Sequence, residues 1–217
     1  KLFFLCSPQN PTGRVWTEEE LRRMGEICNE YGVMVVADEI HHDLIQPGYK
    51  HIVYASLGKE FADNCVICTS LSKTFNLAGL QASNIIIQNE ELRNKFKQLL
   101  NNLHIGGCNV FVDSVVIAAY TQCDQWLDEL NAYIKSNMDY FSEQVNAIAP
   151  LKMWNPEGTY LAWIDCQAAG TGSERLAERL HLLRSRRQRI HPRQPGLPTL
   201  LCRRSGKTSE SSSRFPV

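Results

Sequence analysis

Val33-Met34-Val35-Val36-Ala37-Asp38-Glu39-Ile40-His41 is the stretch that decides how this chain is read. Its five consecutive apolar residues sit between Tyr31-Gly32 and an aspartate. The run is too short for a helix and has the length of a strand buried on both faces. Before it, Thr17 with Glu20 three residues on makes a capping box, and Leu21, Met24, Ile27 and Cys28 keep one apolar helical face up to Tyr31-Gly32. Leu2 to Cys6 is a strand that ends in Ser7-Pro8-Gln9-Asn10-Pro11-Thr12-Gly13, where two prolines and a glycine force a turn. Beyond it, Cys65 to Thr69 is a third strand ending at Ser70-Leu71-Ser72-Lys73, and Asn84 to Gln88 is a fourth after the loop Thr74 to Ala82. Short apolar runs alternating with amphipathic segments predict an α/β fold built on a largely parallel sheet.

From Glu90 to about Ala149 the pattern is helical, broken at Gly106-Gly107. A long amphipathic helix through Trp126, Leu130, Tyr133, Ile134, Met138 and Phe141 stops at Pro150. Leu151 to Trp154, a Pro156-Glu157-Gly158 turn and Thr159 to Ile164 read as a β-hairpin that opens a second, smaller domain. Trp126 and Trp163 read as core residues. A helix is expected over Glu174 to Leu183. Arg184 to Val217 then holds eight Arg, four Pro and six Ser, with too few large apolar residues for a core.

The 217 residues carry 23 basic and 23 acidic side chains, and this balance hides two unlike pieces. Up to Thr171 there are 12 Lys and Arg against 20 Asp and Glu, net −8; from Gly172 onward there are 11 against 3, net +8. No apolar run reaches the roughly 18 residues a membrane span needs. Lys1 opens on a strand-like run without the features of a secretory signal, as the interior of a longer protein would. The eight cysteines lack framework spacing, and Cys6, Cys65 and Cys68 sit inside strand-like runs as small hydrophobes, which favours a reducing, cytoplasmic setting. The tail has two readings, a nucleic-acid-binding arm or translation in a wrong frame. The abrupt change of composition favours the second, so nucleic acid is not an expected partner.

Asn10, Asp38 and Lys73 follow the carboxyl ends of successive strands, the edge where open α/β sheets bind ligands. A lysine at that edge flanked by Ser70 and Ser72 suits a Schiff-base lysine beside hydroxyls able to hold a phosphate. Asp38, directly after a buried strand, calls for a positive partner, and a protonated pyridine nitrogen is one. The set suggests pyridoxal phosphate. Taken singly, a lysine or aspartate after a strand is most often a solvated group or a cap. His41-His42-Asp43 lacks a third spaced metal ligand, and Cys65-x-x-Cys68 lacks a second pair, so no metal site is expected.

Asn10-Pro11-Thr12-Gly13, Asp38-Glu39-Ile40-His41 and Ser70-Leu71-Ser72-Lys73-Thr74-Phe75 resemble, in order and separation, the three signature segments of fold-type I pyridoxal-phosphate enzymes, the class I/II aminotransferase superfamily. His41, the run Lys73 to Gln81, Trp126-Leu127-Asp128 with Asn137, and Pro156 to Trp163 resemble its cystathionine β-lyase (C–S lyase) branch of the MalY and PatB type. The resemblance covers roughly residues 1–166. It implies that residues 1–125 are the C-terminal half of the large cofactor-binding domain. Residues 126–170 would be a linking helix and the start of a smaller α+β domain, and residues 171–217 an atypical basic tail, disordered or frameshifted.

It also implies residue roles. Lys73 forms the Schiff base and later moves the α-proton, Asp38 pairs with the pyridinium nitrogen, and Asn10 and His41 bond the ring's phenolic oxygen. Ser70 and Ser72 lie where the family binds phosphate, while Gln81 stands where many aminotransferases carry a phosphate-binding arginine. The implied reaction is α,β-elimination from cystathionine or a cysteine S-conjugate, giving pyruvate, ammonia and a thiol, in a cytoplasmic homodimer. Transamination on the same residues is the alternative. The isolated chain is expected to be a non-catalytic fragment, because such enzymes carry half of the large domain before the Asn-Pro-Thr-Gly turn.

Overall fold

The computed structural model describes residues 1–166, residue 168 and the strand at 199–203. Three parallel strands, β1 (Leu2–Cys6), β2 (Met34–Asp38) and β3 (Cys65–Thr69), lie side by side in sequence order. β4 (Asn84–Ile86) closes the edge antiparallel to β3. Because successive side chains alternate faces, Leu5, Val35, Ala37, Cys65 and Ile67 point to one side. There they are buried under Leu21 and Cys28 of α1 (Glu18–Glu30), Tyr54 and Leu57 of a 3-10 turn (Tyr54–Leu57), and Phe61 of α2 (Lys59–Ala62). Phe4, of the opposite parity, is 70% exposed.

Local signals explain why these elements start where they do. The Thr17 hydroxyl accepts from the Glu20 amide while the Glu20 carboxylate accepts from the Thr17 amide, as the sequence predicts. Gly25 lets α1 approach its neighbours. A Cβ there would stand 2.5 Å from the Phe61 ring and 2.6 Å from the Tyr54 hydroxyl.

α4 (Glu90–Asn102), α5 (Val112–Gln122) and α6 (Asp124–Asn146) follow. The break expected at Gly106-Gly107 falls between α4 and α5, with Gly107 at φ +83°. Ile134, Met138, Phe141 and Val145 form the buried face of α6, spaced as a helical stripe. They pack on Leu151, Met153, Ala162 and Ile164 of a second sheet. Each such side chain contributes about 2 kcal/mol by leaving water. That sheet runs β5 (Lys152–Met153), β6 (Leu161–Asp165), β7 (Thr199–Arg203), with β5 antiparallel and β7 parallel to β6.

Several expectations change in detail. The fourth strand is three residues long and antiparallel, since an edge strand needs only one hydrogen-bonded neighbour. The expected hairpin pairs, but its connection is a seven-residue excursion, 154–160, and not a tight turn. Trp126 is 47% exposed and stacks on Phe75 with ring centroids 5.7 Å apart, so it is not core. Within 171–217, read from composition as structureless, Thr199–Arg203 forms β7. Leu200-Leu201-Cys202 is an apolar run too short to stand out in that average. The helix expected over 174–183 lies outside the described residues.

Cys6, Cys28, Cys65, Cys68, Cys108 and Cys123 carry free thiols, while Cys166 is disulfide-bonded. Among the described residues, no helix is long and apolar enough to cross a membrane.

Candidate active site

Strand register aligns Cys6, Asp38 and Cys68 in one row at the carboxyl ends of β1, β2 and β3. Asp38 is half-buried between the two thiols. Its backbone carbonyl accepts from the Ser7 amide at 3.0 Å, and its Oδ1 accepts from the Ile40 amide at 3.3 Å. Among the described residues its carboxylate has no cation partner. Burial, with a smaller contribution from the Asp38 charge, pushes the Cys6 and Cys68 thiols above their ordinary range, so both stay neutral beside it. Ser7, next along the chain from Cys6, keeps a buried hydroxyl without a partner.

The turn after β1 presents Asn10 at the surface of this edge, and its backbone N–H donates to Cys6 Sγ at 3.4 Å. Gly13, at φ +74°, closes the turn where no other residue fits: a Cβ would meet Pro156 Cβ at 2.3 Å. The Pro156-Glu157-Gly158 segment is held there. The Gly13 carbonyl accepts from the Glu157 and Gly158 amides, and the Glu157 carboxylate takes the Arg14 guanidinium at 2.8 Å and the Val15 amide at 2.7 Å. On its other side Gly158 bridges to Ile45, and the Thr159 amide donates to the Leu44 carbonyl at 2.7 Å. What reads in sequence as a hairpin turn therefore joins the two sheets. It also carries Tyr160 to His41.

His41 is 2% exposed, and neither ring nitrogen has a hydrogen-bond partner among the described residues. Tyr160 meets it edge-on with ring centroids 5.6 Å apart. Burial disfavours the imidazolium and the Lys73 ammonium adds repulsion, so the His41 pKa falls to about 4 and the ring is neutral at pH 7. Lys73 lies on α3 (Leu71–Thr74), a single turn whose N-cap is Ser70. Its ammonium has no hydrogen-bond or ion-pair partner among the described residues.

Ser70 and Ser72 bracket the start of α3. Ser70 Oγ accepts from the Ser72 amide at 3.0 Å and lies 2.6 Å from Ser72 Oγ and 2.7 Å from the Ala82 carbonyl. The two hydroxyls are tied to each other and to that acceptor. Gln81 is exposed in a left-handed conformation at φ +53°.

The structure thus brings Asp38, His41, Lys73, Ser70 and Ser72 to one sheet edge, with Asn10 on its rim. A cavity of about 590 Å³, lined by Gln9, Thr12, Arg14, Trp16, Trp154 and Trp163 among others, contains none of them. Sequence reading assigned no site role to Ser7, Glu157 or Tyr160 in this neighbourhood, and weighed Asp43 only as a metal ligand. The only signal for Tyr160 was its place in the resembling run Pro156 to Trp163.

Comparison with known proteins identifies the family. The model of the family described as aminotransferase class I and II matches residues 1–201. The chain is 46% identical over 180 residues to cystathionine beta-lyase PatB of Bacillus subtilis, an alignment covering 82% of this chain and 46% of the relative. It is 38% identical to protein MalY of Escherichia coli, over 76% of this chain and 42% of that protein. The chain spans about half the length of the curated relatives it matches. Among solved structures, a PLP-bound putative aminotransferase from Clostridium difficile 630 superposes with a TM-score of 0.77 at 41% identity, covering 79% of this chain and 44% of that one. Cystalysin from Treponema denticola, which contains pyridoxal 5'-phosphate, superposes at 0.76 with 36% identity, covering 82% and 45%. With a family model matched over residues 1–201, and Asn10, Asp38 and Lys73 at or just past the carboxyl ends of β1, β2 and β3, the chain belongs to the class I and II aminotransferase family.

Proposed function

We propose that this chain is the cofactor-holding portion of a pyridoxal-phosphate-dependent carbon–sulfur β-lyase. The observation that carries the reading is His41: a buried neutral imidazole with both nitrogens unsatisfied, within electrostatic reach of Lys73 and three residues past Asp38. Burying such a group without partners costs about 1–3 kcal/mol, so the arrangement makes sense if a ligand completes it. A pyridine ring with a phenolic oxygen and an aldehyde is such a ligand: Asp38 lacks a cation, His41 lacks an acceptor for its N–H, and the Lys73 amine lacks a partner. Pyridoxal phosphate, when bound, supplies an electron sink for negative charge at the substrate Cα.

The residues' tasks follow from their chemistry. Asp38 holds the proton on the ring nitrogen, and the neutral thiols of Cys6 and Cys68 leave its charge without a competitor. His41, through its single N–H, and the Asn10 amide donate to the phenolic oxygen. Ser70 and Ser72 would hold the phosphate, their hydroxyls leaving the Ala82 carbonyl to which they now bond. Lys73 Nζ holds the cofactor, then takes the α-proton of the amino acid. Over the whole reaction, an L-amino acid bearing a thioether at Cβ takes up water and yields a thiol, pyruvate and ammonia. Cystathionine or a cysteine S-conjugate fits, in keeping with the cystathionine beta-lyases among the relatives. The same reading makes the whole protein a cytoplasmic homodimer, with residues 1–125 in its large domain and 126–170 opening its small one. The family and the six free thiols among the described residues support it, while the disulfide at Cys166 does not.

Transamination is the second reading. It uses the same side chains and has a solved relative, the putative aminotransferase, behind it. At the level of the chain the test is cofactor attachment. Added pyridoxal phosphate should give an absorbance band near the visible edge, trapped by borohydride on Lys73 and abolished in Lys73→Ala. Absence of that band in the wild type sinks the reading. Pyruvate and free thiol from cystathionine, without an added keto acid, identify the lyase. Stoichiometric conversion of the cofactor to its amine form identifies the transaminase.

A further inference from the structure

Among the described residues Lys73 has no partner to aim it, and α3 is a single turn. Leu71 packs on Ala82 and Val112, and at the other end of the turn a side chain from a distant loop grips it. The Thr74 hydroxyl, on the residue next to Lys73 and 1% exposed, donates to Asp43 Oδ2 at 2.9 Å. The other carboxylate oxygen, Oδ1, meets His42 Nε2 at 3.1 Å, and His42 Nδ1 lies 2.7 Å from the Glu39 carbonyl. The Asp43 carbonyl accepts from Asn131 Nδ2 of α6 at 2.9 Å. Asp43 is therefore fixed by the loop that carries His41 and by α6, and it spends one oxygen on the residue beside the lysine. A hydroxyl tether at Thr74 sets the rotation of the turn about its axis, and with it the direction of Lys73 Nζ. A small error in that direction at a reacting amine is costly.

We propose that Asp43, acting through the Thr74 hydroxyl, is the positioning residue for Lys73, coupling the lysine turn to the His41 loop. This rests on the cofactor role of Lys73 proposed above, and two measurements keep the two claims apart. The first is the rate at which borohydride traps pyridoxal phosphate on Lys73, read by peptide mass and normalised to the exposed Lys50 and Lys97 of the same molecule. Thr74→Val, nearly isosteric, should slow Lys73 trapping about tenfold and leave Lys50 and Lys97 unchanged. Asp43→Ala should do the same, and Thr74→Ser should restore the rate to within about twofold of wild type. A general loss of fold would also slow Lys73 selectively, and it is told apart by the urea transition, which each variant is expected to keep.

The second needs no cofactor. Amide exchange at Phe75 and Leu77, which donate to the Leu71 and Ser72 carbonyls at 3.0 Å, should quicken in Thr74→Val and recover in Thr74→Ser. Wild-type trapping no faster at Lys73 than at Lys50 overturns the cofactor role alone, because the exchange result still reports the tether. Thr74→Val with wild-type trapping, or with wild-type exchange, overturns the positioning role while the cofactor role stands.

Discussion

Glu39 and His41 stand two residues apart after one strand, are 1% and 2% exposed, and live under opposite conditions. Glu39 is fully engaged: Oε1 accepts from the Tyr54 amide at 2.9 Å and Oε2 meets His51 Nε2 at 3.0 Å. His41 is as deeply buried and meets only the edge of Tyr160. Buried polar groups are usually satisfied within the fold; His41 is left with both ring nitrogens open at the sheet edge shared with Asp38 and Lys73, which is where the proposed cofactor would supply the missing partner. Four measurements break or sharpen that contrast.

The largest effect belongs to the satisfied side. Glu39→Ala leaves the Tyr54 amide and the His51 ring without partners in a closed core, and should lower stability by about 4 kcal/mol in urea unfolding. A loss under about 1 kcal/mol would make Glu39 no more structural than His41. Next comes acid. Below its ordinary pKa of 6.5 the unfolded chain protonates His41, whereas the folded ring resists down to about 4. The unfolded state therefore binds more protons in that window, and stability falls as pH drops from 6.5 towards 4, by up to about 3 kcal/mol. The slope should be absent from His41→Asn, measured as the difference between the two proteins at pH 7, 5.5 and 4.5. At pH 7, His41→Asn should change stability by less than about 1 kcal/mol yet weaken pyridoxal phosphate binding about tenfold, roughly 1.4 kcal/mol. Equal losses in both would place His41 with Glu39. The smallest effect sets the baseline. Thr17→Ala removes an exposed cap of α1 and should cost about 1 kcal/mol of stability with no change in cofactor binding.

The same contrast separates what was legible in sequence from what was not. Elements with a strong local signature were read almost to the residue: β1, β2 and β3 from their apolar runs, and the start of α1 from Thr17 and Glu20. Elements shorter than a period escaped notice. The turns at Tyr54–Leu57, Lys59–Ala62 and Leu71–Thr74 have four residues each, too few for any repeat to register. β7 was lost because a five-residue strand does not change the composition of a 46-residue basic tail.

At the site, Asn10, Asp38 and Lys73 were visible because each follows a strand, and strand ends can be read locally. The partnership of residue types in Asp38-Glu39-Ile40-His41-His42-Asp43 was not. Three acids and two histidines crowd into six residues there, and only their neighbours distinguish them. Glu39 finds His51, Asp43 finds Thr74 from 31 residues away, and His41 meets Tyr160 from 119 residues away.

The sequence by itself determined the order of strands and helices, the helix cap, and the lysine, aspartate and asparagine that belong at the carboxyl edge of the sheet. These depend on periodicity and on residues within a few positions of each other. The tertiary structure alone decided which buried groups are satisfied and which remain open, and that the Pro156-Glu157-Gly158 segment clamps against Gly13 rather than merely turning. Whether a buried nitrogen has a partner depends on side chains brought from distant segments, and no local pattern encodes that distance.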